Sequence, residues 1–206
     1  MVIDRTLTDL VTVCLAQPDS RTSFAILADY LEEQGDERCK LLRTYLDLWT
    51  RAETLPTIKP WRHKGDLITD MAGNERRLRR YACLCVRLMP LPDGRRAWDL
   101  LPVGQARQTI VLAELYAAEL IPLGQLQSTR IPNLSARGQW ITLAAWHAAW
   151  AKPAAGPEEQ VDLVTDCLEQ AIVATTAVPG GERELKERLR AWQLQLMDLC
   201  RKASTS

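Results

Sequence analysis

Apolar residues recur at intervals of three and four along most of this 206-residue chain. The first such segment puts five of them on one helical stripe: Leu7, Leu10, Val11, Cys14 and Leu15. A β-strand would need apolar side chains at every second position, because successive side chains alternate between its two faces. The many Leu and Ala residues also lose little side-chain freedom in a helix. The pattern therefore predicts an all-α fold.

Charge and hydropathy exclude several classes of protein. The chain carries 26 basic and 26 acidic residues, so it has no overall attraction to nucleic acid or to acidic membranes. No apolar run reaches the roughly 18 residues expected of a membrane span. The N-terminus carries Asp4, Arg5 and Asp9 and lacks the layout of an export signal. We expect a cytoplasmic protein that does not bind membranes.

The cysteines and histidines form no metal-binding pattern. Most of the six cysteines lie among apolar residues at helical spacing, where reduced thiols act as small hydrophobic side chains. Cys83 and Cys85 form only a C-x-C pair, and His63 and His147 lie far away in sequence. No phosphate-binding loop, nucleophile elbow or metalloprotease motif occurs either. We therefore expect no catalytic residue, no metal and no cofactor, and hence a protein that is not an enzyme.

Turn signals divide the N-terminal region into three predicted helices. Thr6 is the expected N-cap of the first helix. Gly35 is expected to end the second helix in a left-handed conformation. Asp36 and Glu37 then lie at the start of the third helix, where the helix dipole favours negative charge.

The segment LAQPDSRTSFAILADYLEEQGDERCKLLR, residues 15–43, resembles the bacterial repeat-companion domain family. The family signature reads Pro-Asp-Asp, then Arg-Leu-Val-Tyr-Ala-Asp-Trp-Leu-Glu-Glu-His-Gly-Asp, and then Ala-Glu-Phe-Ile-Arg. The residues that fall on this signature are Pro18, Asp19, Ala28, Asp29, Leu31, Glu32, Glu33, Gly35, Asp36 and Arg43. Tyr30, Gln34 and Cys39-Lys40 depart from it but keep the helical pattern.

The resemblance covers the N-terminal unit, and later pieces are similar to longer members of the same group. These pieces are RLRRYACLCVRLM, VLAELYAAEL and the terminal ERLRAWQLQLM. The short Asp-Ile-Phe-Gly segment that follows in those members is missing here. The family occurs with repeat-bearing and multidomain proteins and has no assigned chemistry. The resemblance therefore implies a helical fold and a protein that works with partners.

Asp29 lies off the main apolar stripe of the second predicted helix. We interpret it as half of an ion pair with Arg43, which would fix the hairpin beside the Gly35 turn. In the alternative interpretation, Asp29, Glu32 and Glu33 form an acidic docking or catalytic patch. The sequence places no His, Ser or Cys partner beside them.

The chain is expected to divide at a loop rich in turn residues. Residues 54–66 hold two prolines and a glycine without a helical period. We predict a small helical unit over residues 1–53, a linker or long loop over 54–66, and a larger helical bundle over 67–206. Trp61 in this loop has basic neighbours, so it either packs on the core or contacts an acidic partner or a phosphate.

Arginine is concentrated after that loop. Residues 73–107 hold eight Arg against three acids, a local charge of +5. Helical spacing in NERRLRRYACLCVRLM predicts apolar residues facing inward and the arginines facing largely outward. The candidate partner-binding residues here are Arg76, Arg77, Arg79, Arg80, Arg87, Arg95 and Arg96. A one-sign patch fits an acidic protein surface, and it also fits phosphate.

Four further helices are predicted near residues 105–120, 136–152, 157–176 and 182–202. In the second of them we expect one stripe to face the core: Trp140, Leu143, Ala144, His147 and Trp150. His147 is interpreted as a buried or hydrogen-bonded neutral side chain. Trp146 lies beside the stripe and is a further candidate partner contact, like Trp61.

Three functional hypotheses follow from these patterns. The first is a non-catalytic interaction or adaptor module, a subunit of a larger bacterial assembly such as a defence or signalling system. The second is an accessory subunit that contacts nucleic acid through the arginine-rich helix. The third is an enzyme whose site forms where Asp29, His147 and cysteines meet in a pocket. The family context favours the first, with protein partners.

Overall fold

A computed structural model describes residues 4–55, 74–102, 104–128, 139–149, 157–175 and 181–203 of the chain. The helices in these ranges are α1 (Arg5–Ala16), α2 (Arg21–Glu33), α3 (Arg38–Ala52), α4 (Glu75–Leu88), α5 (Ala97–Leu100), α6 (Gln105–Ala117), α7 (Leu123–Gln127), α8 (Gln139–Ala149), α9 (Pro157–Thr175) and α10 (Glu182–Lys202). The same ranges hold no β-strand, only one isolated bridge between Pro90 and Arg96. The predicted all-α fold is confirmed.

Side-chain oxygens mark where several helices begin. The Asp4 carboxylate accepts a hydrogen bond from the Leu7 amide at 3.1 Å and caps α1. Thr6 was the predicted cap and instead lies inside α1, which starts at Arg5, two residues earlier than a cap at Thr6 implies. Asn74 caps α4 in the same way, through the Arg77 amide at 3.0 Å. These bonds satisfy amides that have no partner within the first helical turn.

The turn between α2 and α3 follows the prediction for Gly35. Its φ angle is +68°, in the left-handed region where glycine avoids the cost of a Cβ atom. The amides of Gly35 and Asp36 donate to the carbonyls of Glu32 and Leu31 at 3.0 and 2.9 Å. These two hydrogen bonds form a Schellman motif at the end of α2. The chain then turns, and α3 begins at Arg38.

Helix α4 lies at the centre of the described fold. It packs against α3, α5, α6, α8, α9 and α10. Residues 81–89 are buried at every position around the helix. A helix that has neighbours on all sides keeps no continuous face toward solvent. The prediction that the arginines of this helix face largely outward is therefore wrong for Arg79 and Arg87, which are both buried.

The apolar core is shared between the N-terminal helices and the later ones. Phe24 and Leu31 from α2 belong to the same cluster of buried side chains as Leu84, Ile110 and Leu196. Helix α3 contacts α4 and α10, and α1 contacts α6. The described N-terminal helices are thus packed onto the rest of the protein. The predicted division into two units stays a prediction, and residues 56–66 of the predicted linker lie outside the described residues.

The helices after α5 lie close to their predicted ranges. Helix α9 starts at Pro157, where a proline needs no amide hydrogen bond. Helices α5 and α7, of four and five residues, were not predicted because one turn carries no periodicity. None of the helices in the described ranges has both the length and the apolar character needed to cross a membrane.

Candidate functional site

Arg87 on α4 is buried and fixed by an unusually complete set of contacts. Its Nε and Nη2 atoms donate to the two carboxylate oxygens of Glu114 on α6, at 2.5 and 2.7 Å. Its Nη1 atom donates to the Pro18 carbonyl at 2.9 Å. The side chains of Arg87 and Glu114 are 2% and 0% exposed, so the bidentate pair lies in a low-dielectric interior.

A tyrosine from α3 completes this pair. The Tyr45 hydroxyl donates to Oε1 of Glu114, the oxygen that also receives Nε of Arg87. Burial, with the Glu114 charge beside it, raises the pKa of Tyr45 well above its usual value. Burial opposes the charge of Arg87, but Glu114 outweighs this and raises the pKa of Arg87. The Tyr45 phenol therefore stays neutral and the Arg87 guanidinium stays charged.

Two tryptophans pack against the Arg87 guanidinium. Its carbon lies 4.1 Å from the ring centre of Trp98 and 4.4 Å from that of Trp49. Such contacts favour a cation on the negative face of an indole ring. The indole nitrogen of Trp98 donates to Asp19, which also accepts from Nη1 of Arg107 at 2.9 Å. This network joins the loop after α1 to α3, α4, α5 and α6.

An open cleft of about 460 Å³ lies beside this network. It is lined by Arg87, Arg96 and Arg107, by Asp19, Glu53 and Asp99, and by the two tryptophans. Each arginine already bonds a carboxylate: Arg87 bonds Glu114, Arg96 bonds Glu53 at 3.0 Å, and Arg107 bonds Asp19. Equal numbers of lining charges of both signs give the cleft no net attraction for an anion.

The cleft does not bring together the residues of the enzyme hypothesis. Asp29, His147 and the cysteines are not among the described residues that line it. Asp29 lies on α2 in a surface ion pair, and the His147 Nδ1 atom lies 3.0 Å from Oε1 of Gln160 on α9. The hydrogen bond predicted as one alternative for His147 is therefore present, and the side chain is partly exposed.

The buried cysteines have the properties of core thiols. Burial raises the pKa of Cys14 to about 12 and that of Cys167 to about 11. It also raises the pKa of Cys83 and Cys200. A reactive cysteine needs the opposite shift, since the thiolate is the nucleophile and the metal ligand. No cluster of His, Cys, Asp or Glu suited to a metal ion occurs within the described ranges.

Arg79 and Arg87 do not belong to a surface patch. Both are buried, at 0% and 2% exposed, because α4 is enclosed by other helices. Arg79 bonds Glu75 at 2.5 Å and the Ala149 carbonyl, and its carbon lies 4.9 Å from the Tyr116 ring centre. These two candidate partner contacts are therefore wrong, and their charges act inside the fold.

The other arginine candidates lie nearer the surface, and most have partners within the protein. Arg76 pairs with Glu119, and Arg80 donates to the Ala117 carbonyl at 3.2 Å. Arg95 pairs with Asp93 at 2.7 Å, and Arg96 pairs with Glu53. Arg77 is partly exposed. Trp61 lies outside the described residues.

The N-terminal ion pair has the predicted partners. Arg43 on α3 pairs with Asp29 on α2 and, at 2.8 Å, with Glu32 one turn further along. Their side chains are about half exposed, so solvent screens both contacts. The interaction supports the hairpin around Gly35 and holds the carboxylates of Asp29 and Glu32 on one guanidinium.

Helix α8 presents an aromatic surface to solvent. Trp140 is 47% exposed, and Leu143, Trp146 and His147 are partly exposed. These four residues, named here the α8 face, lie within about one third of the helical circumference. The predicted core stripe is therefore wrong for Trp140, because α8 instead buries Ile141, Ala144, Ala145, Ala148 and Ala149. Trp150 is outside the described side chains.

Comparison of the chain with protein-family models, curated proteins and solved structures gave no match. The resemblance of residues 15–43 to the repeat-companion domain stays a prediction from those residues.

Glu114, Trp49 and Trp98 were not predicted from the sequence as partners of Arg87. A usable signal was present, because Glu114 is the single acid in the apolar stretch IVLAELYAA. Arg87 likewise interrupts the apolar stretch ACLCVRLM. Two opposite charges, each embedded in an apolar helix, indicate a buried pair, since an unpaired charge would be costly there.

Proposed function

We propose that the protein is a non-catalytic protein-binding module, a subunit of a larger bacterial assembly, and that the α8 face is its contact surface. The observation that carries this proposal is the exposure of Trp140 beside Leu143 and Trp146. Tryptophan is enriched among the residues that dominate binding energy at protein interfaces. An adjoining aromatic and aliphatic surface left in water also favours burial against a partner.

The lack of charge around this surface supports the same function. Residues 138–151 contain no Asp, Glu, Lys or Arg, although a quarter of the whole chain is charged. The centres of protein interfaces are depleted of charged residues and enriched in aromatic ones. The α8 face matches that composition, whereas most of the arginine candidates are paired within the fold.

Nucleic-acid contact is the alternative function. Its support is that Arg76, Arg77 and Arg80 stay partly exposed on the first half of α4. The burial of Arg79 and Arg87 weakens it, because the proposed basic footprint loses two of its five charges on this helix.

Affinity capture tests the two functions together. The intact chain would be captured from its own bacterial cells with every bound protein and nucleic acid identified, and binding would then be measured with the purified partner. We expect Trp140→Ala with Trp146→Ala to weaken that binding at least about tenfold. Ile26→Ala, which alters an equally exposed apolar residue on α2, should leave it unchanged.

Two outcomes would contradict the proposal. One is full partner binding by the double tryptophan variant with its helical circular dichroism preserved. The other is steeply salt-dependent capture of RNA or DNA that is lost on Arg77→Glu and unaffected by the tryptophan changes, which would establish the alternative function.

A further inference from the structure

We infer that the α8 face binds a second copy of this chain, so that the protein works as a twofold-symmetric dimer. This inference rests on the proposed function, since it takes the α8 face as a protein-binding surface. The inference names the partner that binds to the α8 face, which is a second copy of the chain. Closed twofold dimers are the commonest assemblies of soluble proteins.

Charge is the first argument for a second copy as the occupant. In a twofold interface a surface meets its own image, so every charged residue near the axis would face a like charge. Helix α8 brings no such charge, because residues 138–151 contain no Asp, Glu, Lys or Arg. Homodimer interfaces are also more apolar than those between unlike partners.

The spacing of the side chains on the α8 face is the second argument; Trp140 is exposed, and Leu143 and Trp146 are partly exposed. Trp140, Leu143 and Trp146 are separated by equal steps of three residues, so the pattern is symmetric about Leu143. The span from Trp140 to Trp146 is about 9 Å along the helix axis. An antiparallel pair of α8 helices with its twofold axis at Leu143 would therefore place Trp140 of one copy beside Trp146 of the second copy. Each tryptophan would gain an apolar neighbour by the same contact.

Other exposed apolar residues do not offer such a surface. Val13, Ile26 and Leu123 lie on α1, α2 and α7 and, like Trp140 on α8, each is the one large apolar side chain of its helix that is exposed. Helices α1 and α2 carry charged residues and α7 has only five residues, whereas the longer α8 carries no Asp, Glu, Lys or Arg. Ile26 also lies one turn from Asp29, whose side chain is more than half exposed. Among the described residues, the α8 face is thus the surface best suited to meet its own copy.

The test is the mass of the purified chain in solution as a function of concentration, by sedimentation equilibrium. We expect a dimer that dissociates on dilution. Leu143→Glu should raise its dissociation constant at least about 30-fold, the loss typical of a central interface residue, because two carboxylates then meet at the axis. Ile26→Glu is the matched control and should leave the dissociation constant unchanged.

Charge rescue separates a lost interface from a lost fold. Leu143→Glu and Leu143→Lys chains should each be monomeric alone, and they should form a mixed dimer when combined, because opposite charges then meet at the axis. Failure of the mixture to dimerise, or a wild-type chain that is monomeric at several hundred micromolar, would overturn the dimer. A monomer that still binds a different protein through Trp140 and Trp146 would leave the proposed function standing. A chain that binds neither itself nor another protein there would overturn both.

Discussion

Arg87 and Glu114 form a bidentate ion pair that joins α4 to α6 inside the core, with N–O distances of 2.5 and 2.7 Å. Both side chains are almost fully buried. Because the Pro18 carbonyl and Tyr45 hydroxyl also bind to this pair, it links the N-terminal helices to the later ones. Its electrostatic partners are all internal, which explains why an arginine in the most basic segment of the chain adds nothing to a surface patch.

Removing one member of this pair should be strongly destabilising. Glu114→Ala leaves Arg87 buried without its counter-charge, and we expect the free energy of unfolding to fall by about 3–5 kcal/mol. Replacing both residues, as in Arg87→Met with Glu114→Leu, should recover much of that loss, because no charge then remains in the core. Urea denaturation of the variants measures both effects.

The control for this prediction is an exposed pair on α10. Glu187→Ala removes the partner of Arg183, whose side chain is 93% exposed, and should cost no more than about 0.5 kcal/mol. Equal losses for Glu114→Ala and Glu187→Ala would contradict a special role for the buried pair.

The turn at Gly35 should resist substitution for a conformational reason. Gly35→Ala forces an L residue to keep a φ angle of +68°, and we expect a loss of about 1 kcal/mol in the free energy of unfolding. A Cβ atom at this position would meet no neighbour within 4 Å, so a steric clash is not the cause.

Gly124 provides the matched control within α7. It has no positive φ angle and also has open space around its Cβ position, so Gly124→Ala should be neutral or stabilising. Thermal denaturation followed by circular dichroism separates the two. An unchanged melting temperature for Gly35→Ala would count against the conformational argument.

The ion pairs of Arg43 should contribute little to the free energy of unfolding, and their contribution should depend on salt concentration. Arg43→Ala removes contacts to both Asp29 and Glu32, but all three side chains are about half exposed. We expect a loss of no more than about 1 kcal/mol in the free energy of unfolding, decreasing in 1 M salt as the charges are screened, where the Debye length is about 3 Å. A loss of several kcal/mol that is insensitive to salt would show that the pair acts as a buried interaction.

Stability should fall on the alkaline side of neutrality. Burial raises the pKa of Cys14 to about 12, and it raises the pKa of Tyr45 and Tyr81 well above their usual values. In the unfolded chain the pKa of a thiol is about 8.5 and that of a phenol is about 10. The folded state therefore keeps protons that the unfolded state releases. The stabilisation is fully present below about pH 8 and is lost as the pH rises toward the folded-state values.

Urea denaturation at pH 7 and at pH 10 measures this effect. We expect a lower free energy of unfolding at pH 10, and a smaller difference between the two pH values for Cys14→Ala, which lacks one of the shifted groups. Equal stability of the wild-type chain at both pH values would show that these side chains are accessible to solvent in the folded state.

Local structure was largely determined by sequence. The spacing of apolar residues by three and four predicted the all-α fold class. Gly35 determined the end of α2, because backbone sterics depend only on the residue itself and its neighbours. The Asp29–Arg43 pair was also accessible to prediction, since both residues lie on adjacent helices of one short hairpin.

Burial around α4 was decided by tertiary structure. Helical spacing assumes one inner and one outer face, so it placed Arg79 and Arg87 on the outside. The packing of six helices around α4 buried both side chains, and Glu114 became the partner of Arg87 although it lies 27 residues further along the chain. No local pattern encodes such a pairing, because it depends on which helices become neighbours in space.

The exposure of Trp140 was decided in the same way. The periodicity of α8 fits more than one orientation, because one side carries Trp140, Leu143 and Trp146 and the other carries Ile141 and four alanines. Packing against α4, α6 and α9 selected the face with Ile141 and the small alanines, which allow close helix contact. The larger Trp140 and Trp146 were left nearer solvent, on the side of the helix away from these contacts.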